Sequence, residues 1–231
     1  MGLVRDLRLG AYAARVIRDT IEYMTGTERV LRVHSLLEAA YYIVVTPCAE
    51  CRSGPLEAHA GQLDRTTHPG LLIMPTTCRA CGVWCAFRFN TDHVCGEEGW
   101  PTDPLGTACE PAGNAPSSPV NRSEEPSEVI DVAGWLLLHT LLQERVSSLG
   151  AGALRVAERS ARRRLQVQSA ACLAEALKFY DPDNDLPPEE AFFTAESRRQ
   201  FRARPELFAR DRIIGLRARL PWSRGGQPAE Q

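Results

Sequence analysis

The chain reads as an α+β protein that is mostly α: a small β module flanked by an N-terminal helical hairpin and a C-terminal helical bundle. Three observations predict this class. Apolar residues recur at helical spacing over 3–24 and again beyond residue 128. Short β-branched and aromatic runs fall between residues 41 and 89. A proline-rich stretch over 96–127 separates the two. The expected organisation is therefore a hairpin over 1–40, a β module over 41–95, a flexible linker over 96–127, a helical region over 128–220 and a disordered tail over 221–231.

Each element has a local reason. Leu3, Leu7, Ala14, Ile17, Ile21 and Met24 line one helical face, with Arg5, Arg8, Arg15 and Arg18 mostly off it. Gly26 stops that helix, and Thr27-Glu28 caps a second one running to about Ala40. Tyr41 to Thr46 is β-branched and aromatic and reads as a strand, as does Leu71 to Met74. In Val83-Trp84-Cys85-Ala86-Phe87-Arg88-Phe89 the apolar residues alternate, with Val83, Cys85, Phe87 and Phe89 on one face. The linker carries prolines at 101, 104, 111, 116, 119 and 126. Beyond it, Val129 to Leu142 is apolar on nearly every side, as suits a central helix. A second long helix is expected from about Ala153 to Tyr180, broken by Asp181-Pro-Asp-Asn-Asp-Leu-Pro-Pro. Shorter helices follow over about 189–203 and 206–219.

The strongest chemical signal is Cys48-Ala-Glu-Cys51 and Cys78-Arg-Ala-Cys81, with 26 residues between the pairs. Two Cys-x-x-Cys pairs offer four thiolates, the donor set that suits tetrahedral Zn²⁺. Gly54 and Gly82 follow the pairs and let the backbone turn tightly around a metal. Over about 41–95 the stretch resembles the zinc-ribbon family, with its rubredoxin-like double knuckle. The resemblance implies one closed Zn²⁺ site held by Cys48, Cys51, Cys78 and Cys81, structural rather than catalytic. It also implies a module that contacts proteins or nucleic acid. A thioredoxin-like dithiol is the alternative, but it wants a helix start after the pair, and strands are expected here.

Other constellations are weaker. Cys85 extends the second pair to Cys78-x-x-Cys81-x-x-x-Cys85, yet its apolar face marks it as a buried core thiol. His93, Cys95 and Cys109 lack paired spacing for a second metal site, and His59 or His68 could replace a cysteine ligand. Asp181, Asp183 and Asp185 echo a calcium loop, but Leu186 and Phe192 stand where that loop needs glycine and a bidentate acid. Asp131 and His139 fall with Glu128 and Gln143 on a narrow polar stripe, read as a solvated edge.

Charge is uneven. Residues 46–127 hold five arginines against ten acidic residues, whereas 155–224 hold fourteen arginines and one lysine against ten. Arginine supplies nearly all the positive charge throughout, with Lys178 the one lysine. Arg155, Arg159, Arg162 and Arg163 form a helical stripe that could meet phosphates. The N-terminus carries charges where an export signal needs an apolar run, and Val129 to Leu142 falls short of the roughly 20 residues that span a bilayer. A cytoplasmic protein with no membrane span and reduced cysteines is expected. No Walker loop, dinucleotide-binding glycine motif, His-Glu-x-x-His or Gly-x-Ser-x-Gly occurs, so no catalytic or cofactor-binding residue is assigned beyond the metal ligands. The expected function is a non-catalytic zinc-binding interaction protein with a protein partner. The alternatives are a nucleic-acid-associated regulator using the arginine-rich helices and, further behind, an enzyme whose site is assembled from separated residues.

Overall fold

The computed structural model describes residues 30–64, 70–92, 94, 99–101, 104–105, 120–149 and 156–220. The first expected helix, residues 106–119 of the linker and the tail lie outside them, as do His68, His93, Cys95, Cys109 and Arg155. Two units form: Met1–Leu31 with Pro47–Asp92, and Arg32–Thr46 with His93–Gln231. Among the described residues there are five α-helices and one four-stranded sheet.

The sheet comprises β1 (Val30–Arg32), β2 (Leu56–Ala58), β3 (Leu71–Cys78) and β4 (Trp84–Asn90), in the order β1-β4-β3-β2. β3 runs antiparallel to both β2 and β4, with Leu56 opposite Cys78 and Thr77 opposite Trp84. Leu72, Met74, Thr76 and Cys78 are buried, the period of two that a pleated strand imposes. Pro75 is tolerated in this central strand because of where its missing N–H would point. Its carbonyl accepts from His59 N (2.9 Å), just past the last β2–β3 pair at Ala58 and Thr76. The nitrogen of a strand residue faces the same side as its carbonyl, so the β4 ladder loses no donor. On β4 only Phe89 is buried, while Cys85 and Phe87 are half-buried, so the alternation read there sets the strand but not a fully buried face.

The other unit begins with α1 (Leu36–Val45). Two expectations are corrected here. Val30–Arg32 is a strand where a helix to Ala40 was expected, and Tyr41–Val45 is helical where a strand was expected. Ser35 explains the helix start: its Oγ accepts from Glu38 N at 3.0 Å, and the Glu38 carboxylate accepts in turn from His34 N. Burial of Leu36, Ala39, Ala40, Tyr41 and Ile43 then outweighs the β preference of Tyr-Tyr-Ile-Val-Val. Pro47 follows the C-cap Thr46, whose N–H and hydroxyl both bond Tyr42 O.

α2 (Val132–Ser148) and α3 (Val156–Leu177) pack along each other and carry most of the core. Trp135, Leu138, Leu142, Leu165 and Leu173 are fully buried, and Tyr41 meets Trp135 edge-on at 6.4 Å. α4 (Ala195–Ala203), capped by Thr194 and Ser197, and α5 (Arg210–Ala218) close the unit through Phe192, Phe201 and Phe208. The solvated edge expected at Asp131 and His139 is also corrected, because both are buried. Asp131 caps α2, Oδ1 accepting from Gly134 N (2.8 Å) and Oδ2 from Phe193 N (2.9 Å). His139 Nδ1 hydrogen-bonds Ser169 Oγ (2.7 Å), which accepts from Gln143 Nε2 (2.8 Å). Asp131 and His139 can be buried because facing elements supply their hydrogen bonds. No described helix is long and apolar enough to cross a membrane.

Candidate metal centre

Two turns bring the cysteines together. Cys48 and Cys51 lie on the loop after α1, and Cys78 and Cys81 lie on the β3–β4 hairpin. The turns share one backbone course. Arg52 N donates to Cys48 O at 2.9 Å, and Gly82 N donates to Cys78 O at 2.9 Å. In each turn the residue after the second cysteine is left-handed, Arg52 at φ 54° and Gly82 at φ 73°. The structural counterpart of Gly82 is therefore Arg52, not Gly54 as the sequence suggested. Gly82 adopts this conformation freely, whereas Arg52 adopts it at a steric cost of about 1 kcal/mol.

Gly54 has a different task. A Cβ built there would lie 2.5 Å from Cys78 Sγ and 2.6 Å from Ala80 Cβ. The first turn is thus threaded against the second so closely that only glycine fits, and this close approach holds the two thiol pairs face to face.

All four Sγ atoms lie within 4.8 Å of one another. Cys48 and Cys81 approach to 3.7 Å, and Cys51 and Cys78 to 3.6 Å. A disulfide needs about 2.05 Å, so these are free thiols. A tetrahedron with Zn–S of about 2.3 Å has sulfur–sulfur edges of about 3.8 Å, which the two close pairs match. Cys48 and Cys78 are buried, Cys51 is half-buried and Cys81 is exposed.

The electrostatics of the cluster favour a cation. Backbone amides of Ser53 and Gly54 donate to Cys51 and bring its thiol down to about 6. The amides of Cys81 and Ala80 lower Cys78 in the same way. The Val83 amide also favours the Cys81 thiolate, but desolvation and the thiols of Cys78, Cys48 and Cys51 together push that group up to about 12. Four neighbouring sulfurs do not all ionise by themselves. A soft divalent cation removes that conflict, so the donor set fits the zinc ion inferred from spacing.

The remaining sequence candidates separate clearly. Cys85 lies outside the cluster and pairs with Thr76 Oγ1 at 2.9 Å, its thiol pushed up by burial. It is half-buried rather than the fully buried core thiol expected, like most of β4. His59 is not in the cluster either: its Nε2 contacts Thr77 Oγ1 at 2.7 Å. Asp181, Asp183 and Asp185 are exposed, and Asp185 O accepts from Arg210 N (2.8 Å) at the start of α5. On α3, Arg159 and Arg163 are exposed and Arg162 is half-buried, and each engages a neighbour. The chain matches no protein-family model and has no significant match among curated proteins or solved structures.

Proposed function

We propose that this chain is a non-catalytic zinc-binding interaction protein whose sheet is built as a zinc ribbon. The observation that carries the reading is the convergence of Cys48, Cys51, Cys78 and Cys81 from two turns of matching backbone course. Four thiolates fill a tetrahedron and leave no position for water or substrate, so a bound Zn²⁺ would act as a staple. The chemistry it supplies is charge neutralisation and cross-linking. The residues do the rest: amides at 53, 54, 80, 81 and 83 hold the sulfurs, and Gly54 sets their approach.

The test is metal content of purified full-length protein. One zinc per chain is expected, with substantial loss in Cys78→Ser and Cys81→Ser. Full stoichiometry in both variants would sink the assignment. The partner class is tested by titrating the protein with mixed-sequence DNA and RNA at low and moderate salt. A protein partner predicts no binding at low salt. Salt-sensitive binding lost in an Arg159/Arg162/Arg163 triple-alanine variant would instead support the nucleic-acid regulator.

A further inference from the structure

The four sulfurs of the metal centre differ in how a reagent can reach them. Coordination holds every ligand sulfur as a thiolate, so in the loaded protein access rather than acidity decides which one reacts. Cys48 and Cys78 are each 1% exposed. The backbone of Gly54 lies across Cys78, where a Cβ would come within 2.5 Å of its Sγ. Cys51 is half-buried. Cys81 is exposed, and so are Arg79, Ala80 and Gly82 around it. A Cβ at Gly82 would meet no atom within 4 Å beyond its chain neighbours, so the flank of this turn is open. The closest sulfur approaches also cross from one turn to the other: Cys81 to Cys48 at 3.7 Å, and Cys51 to Cys78 at 3.6 Å. An exposed sulfur with a buried sulfur of the facing turn behind it is the arrangement of an attacking and a resolving cysteine.

We propose that Cys81 is a modification site for hydroperoxides, resolved by Cys48 as a disulfide between the two turns. The inference rests on the zinc reading above. In the first step the Cys81 thiolate attacks the terminal oxygen of the hydroperoxide. A sulfur–oxygen bond forms, the oxygen–oxygen bond breaks, and the departing alkoxide or hydroxide takes a proton from water. In the second step the Cys48 thiolate attacks the Cys81 sulfur, the sulfur–oxygen bond breaks and hydroxide leaves. Each of the two sulfurs gives up one electron, and the peroxide accepts both.

The second step asks little of the fold, because sulfurs 3.7 Å apart need only close to about 2.05 Å. It consumes two of the four donors, so the closed tetrahedron is lost while a covalent bond still joins the turns. Cys51 and Cys78 are left as a second facing pair, which a second equivalent of peroxide would join. An inert staple behaves differently: it keeps its metal against peroxide, or it yields disulfides within each Cys-x-x-Cys pair.

The test uses full-length protein in a Cys95→Ser/Cys109→Ser background, which removes the two cysteines outside the described residues. Metal content is measured first, so that failure of the zinc reading is seen separately. The zinc-loaded protein is then treated with a small excess of hydrogen peroxide, blocked with N-ethylmaleimide and mapped by mass spectrometry, with released zinc read by a chromogenic chelator. Cys48–Cys81 should be the first and predominant disulfide, with one zinc released for each, and a thiol reductant plus zinc should restore the site. Without peroxide, limiting N-ethylmaleimide should label Cys81 at least about 10-fold faster than Cys48 or Cys78. A predominant Cys48–Cys51 or Cys78–Cys81 linkage, first labelling at Cys51, or zinc retained without any disulfide would overturn the proposal. Protein isolated without zinc that still forms Cys48–Cys81 would contradict the zinc reading and support the pairing.

Discussion

In the helical unit, Tyr41, Trp135, Leu138, Leu142, Leu165, Leu173 and Phe192 are each no more than 1% exposed. Among the described residues of the sheet unit, Met74 and Phe89 reach that depth of burial, Leu72 is 2% exposed, and the cysteines Cys48 and Cys78 are 1% exposed. A fully buried large apolar side chain contributes about 1.5–3 kcal/mol, against about 1–2 kcal/mol per residue for ordering the backbone. The helical unit has the side chains to meet that cost. The sheet unit has fewer such side chains, so a metal held by its four cysteines would supply a larger share of its stability.

The largest expected effect comes from stripping the metal. With a strong chelator, near-complete loss of protection in 71–90 should accompany little change in the helical circular dichroism signal. Equal unfolding of both regions would break the contrast. The reciprocal change is Trp135→Ala, expected to cost about 3–5 kcal/mol in denaturant unfolding of the helices while zinc stays bound. Loss of zinc in that variant would mean the two regions fold as one.

Smaller changes sharpen the picture of the turns. Gly54→Ala drives a Cβ into Cys78 Sγ and should destabilise the sheet by about 1–3 kcal/mol, with a matching fall in zinc affinity. Gly82→Ala meets no atom within 4 Å, so it should cost only about 1 kcal/mol from its positive φ. A larger effect at 82 than at 54 would reverse the roles assigned to them.

The smallest effects are pH-dependent and belong to the helical unit. Burial lowers His139 below 6.5, so its contribution is present above pH 6.5 and is lost as pH falls through its folded value. His34 acts oppositely: its contribution is full below pH 6.5 and is lost as pH rises through its raised value. Denaturation midpoints at pH 5 to 8 should show His139→Gln removing an acid-side loss and His34→Gln removing an alkaline-side loss. Identical profiles in both variants would contradict these environments.

Where a residue type and its spacing dictate the chemistry, the sequence was readable. The cysteine pairs are the clearest case, since two Cys-x-x-Cys turns have few other uses. The long apolar and alternating runs likewise place α2, α3, β3 and β4, within a few residues at their ends. What escaped depends on partners far along the chain. Tyr41–Val45 is helical because Tyr41 and Ile43 are buried and Tyr42, Val44 and Val45 partly buried against the helical core, which its β-branched run does not announce. Asp131 is explained by Phe193 N and His139 by Ser169, each in a distant element. Arg52 escaped for another reason: an arginine gives no local hint that its φ is positive. Ser35 was the missed signal that was present, three residues before Glu38 and directly before an apolar run.

The central claim, that four cysteines from two matched turns bind one metal tetrahedrally, is most directly tested by titrating metal-free full-length protein with Co²⁺ under reducing conditions. The account predicts an endpoint at one equivalent, intense thiolate-to-cobalt charge transfer and the strong visible bands of a tetrahedral four-sulfur site, with zinc displacing the colour. Weak octahedral absorption, or an unchanged four-sulfur spectrum in a Cys78→Ser/Cys81→Ser double variant, would contradict it.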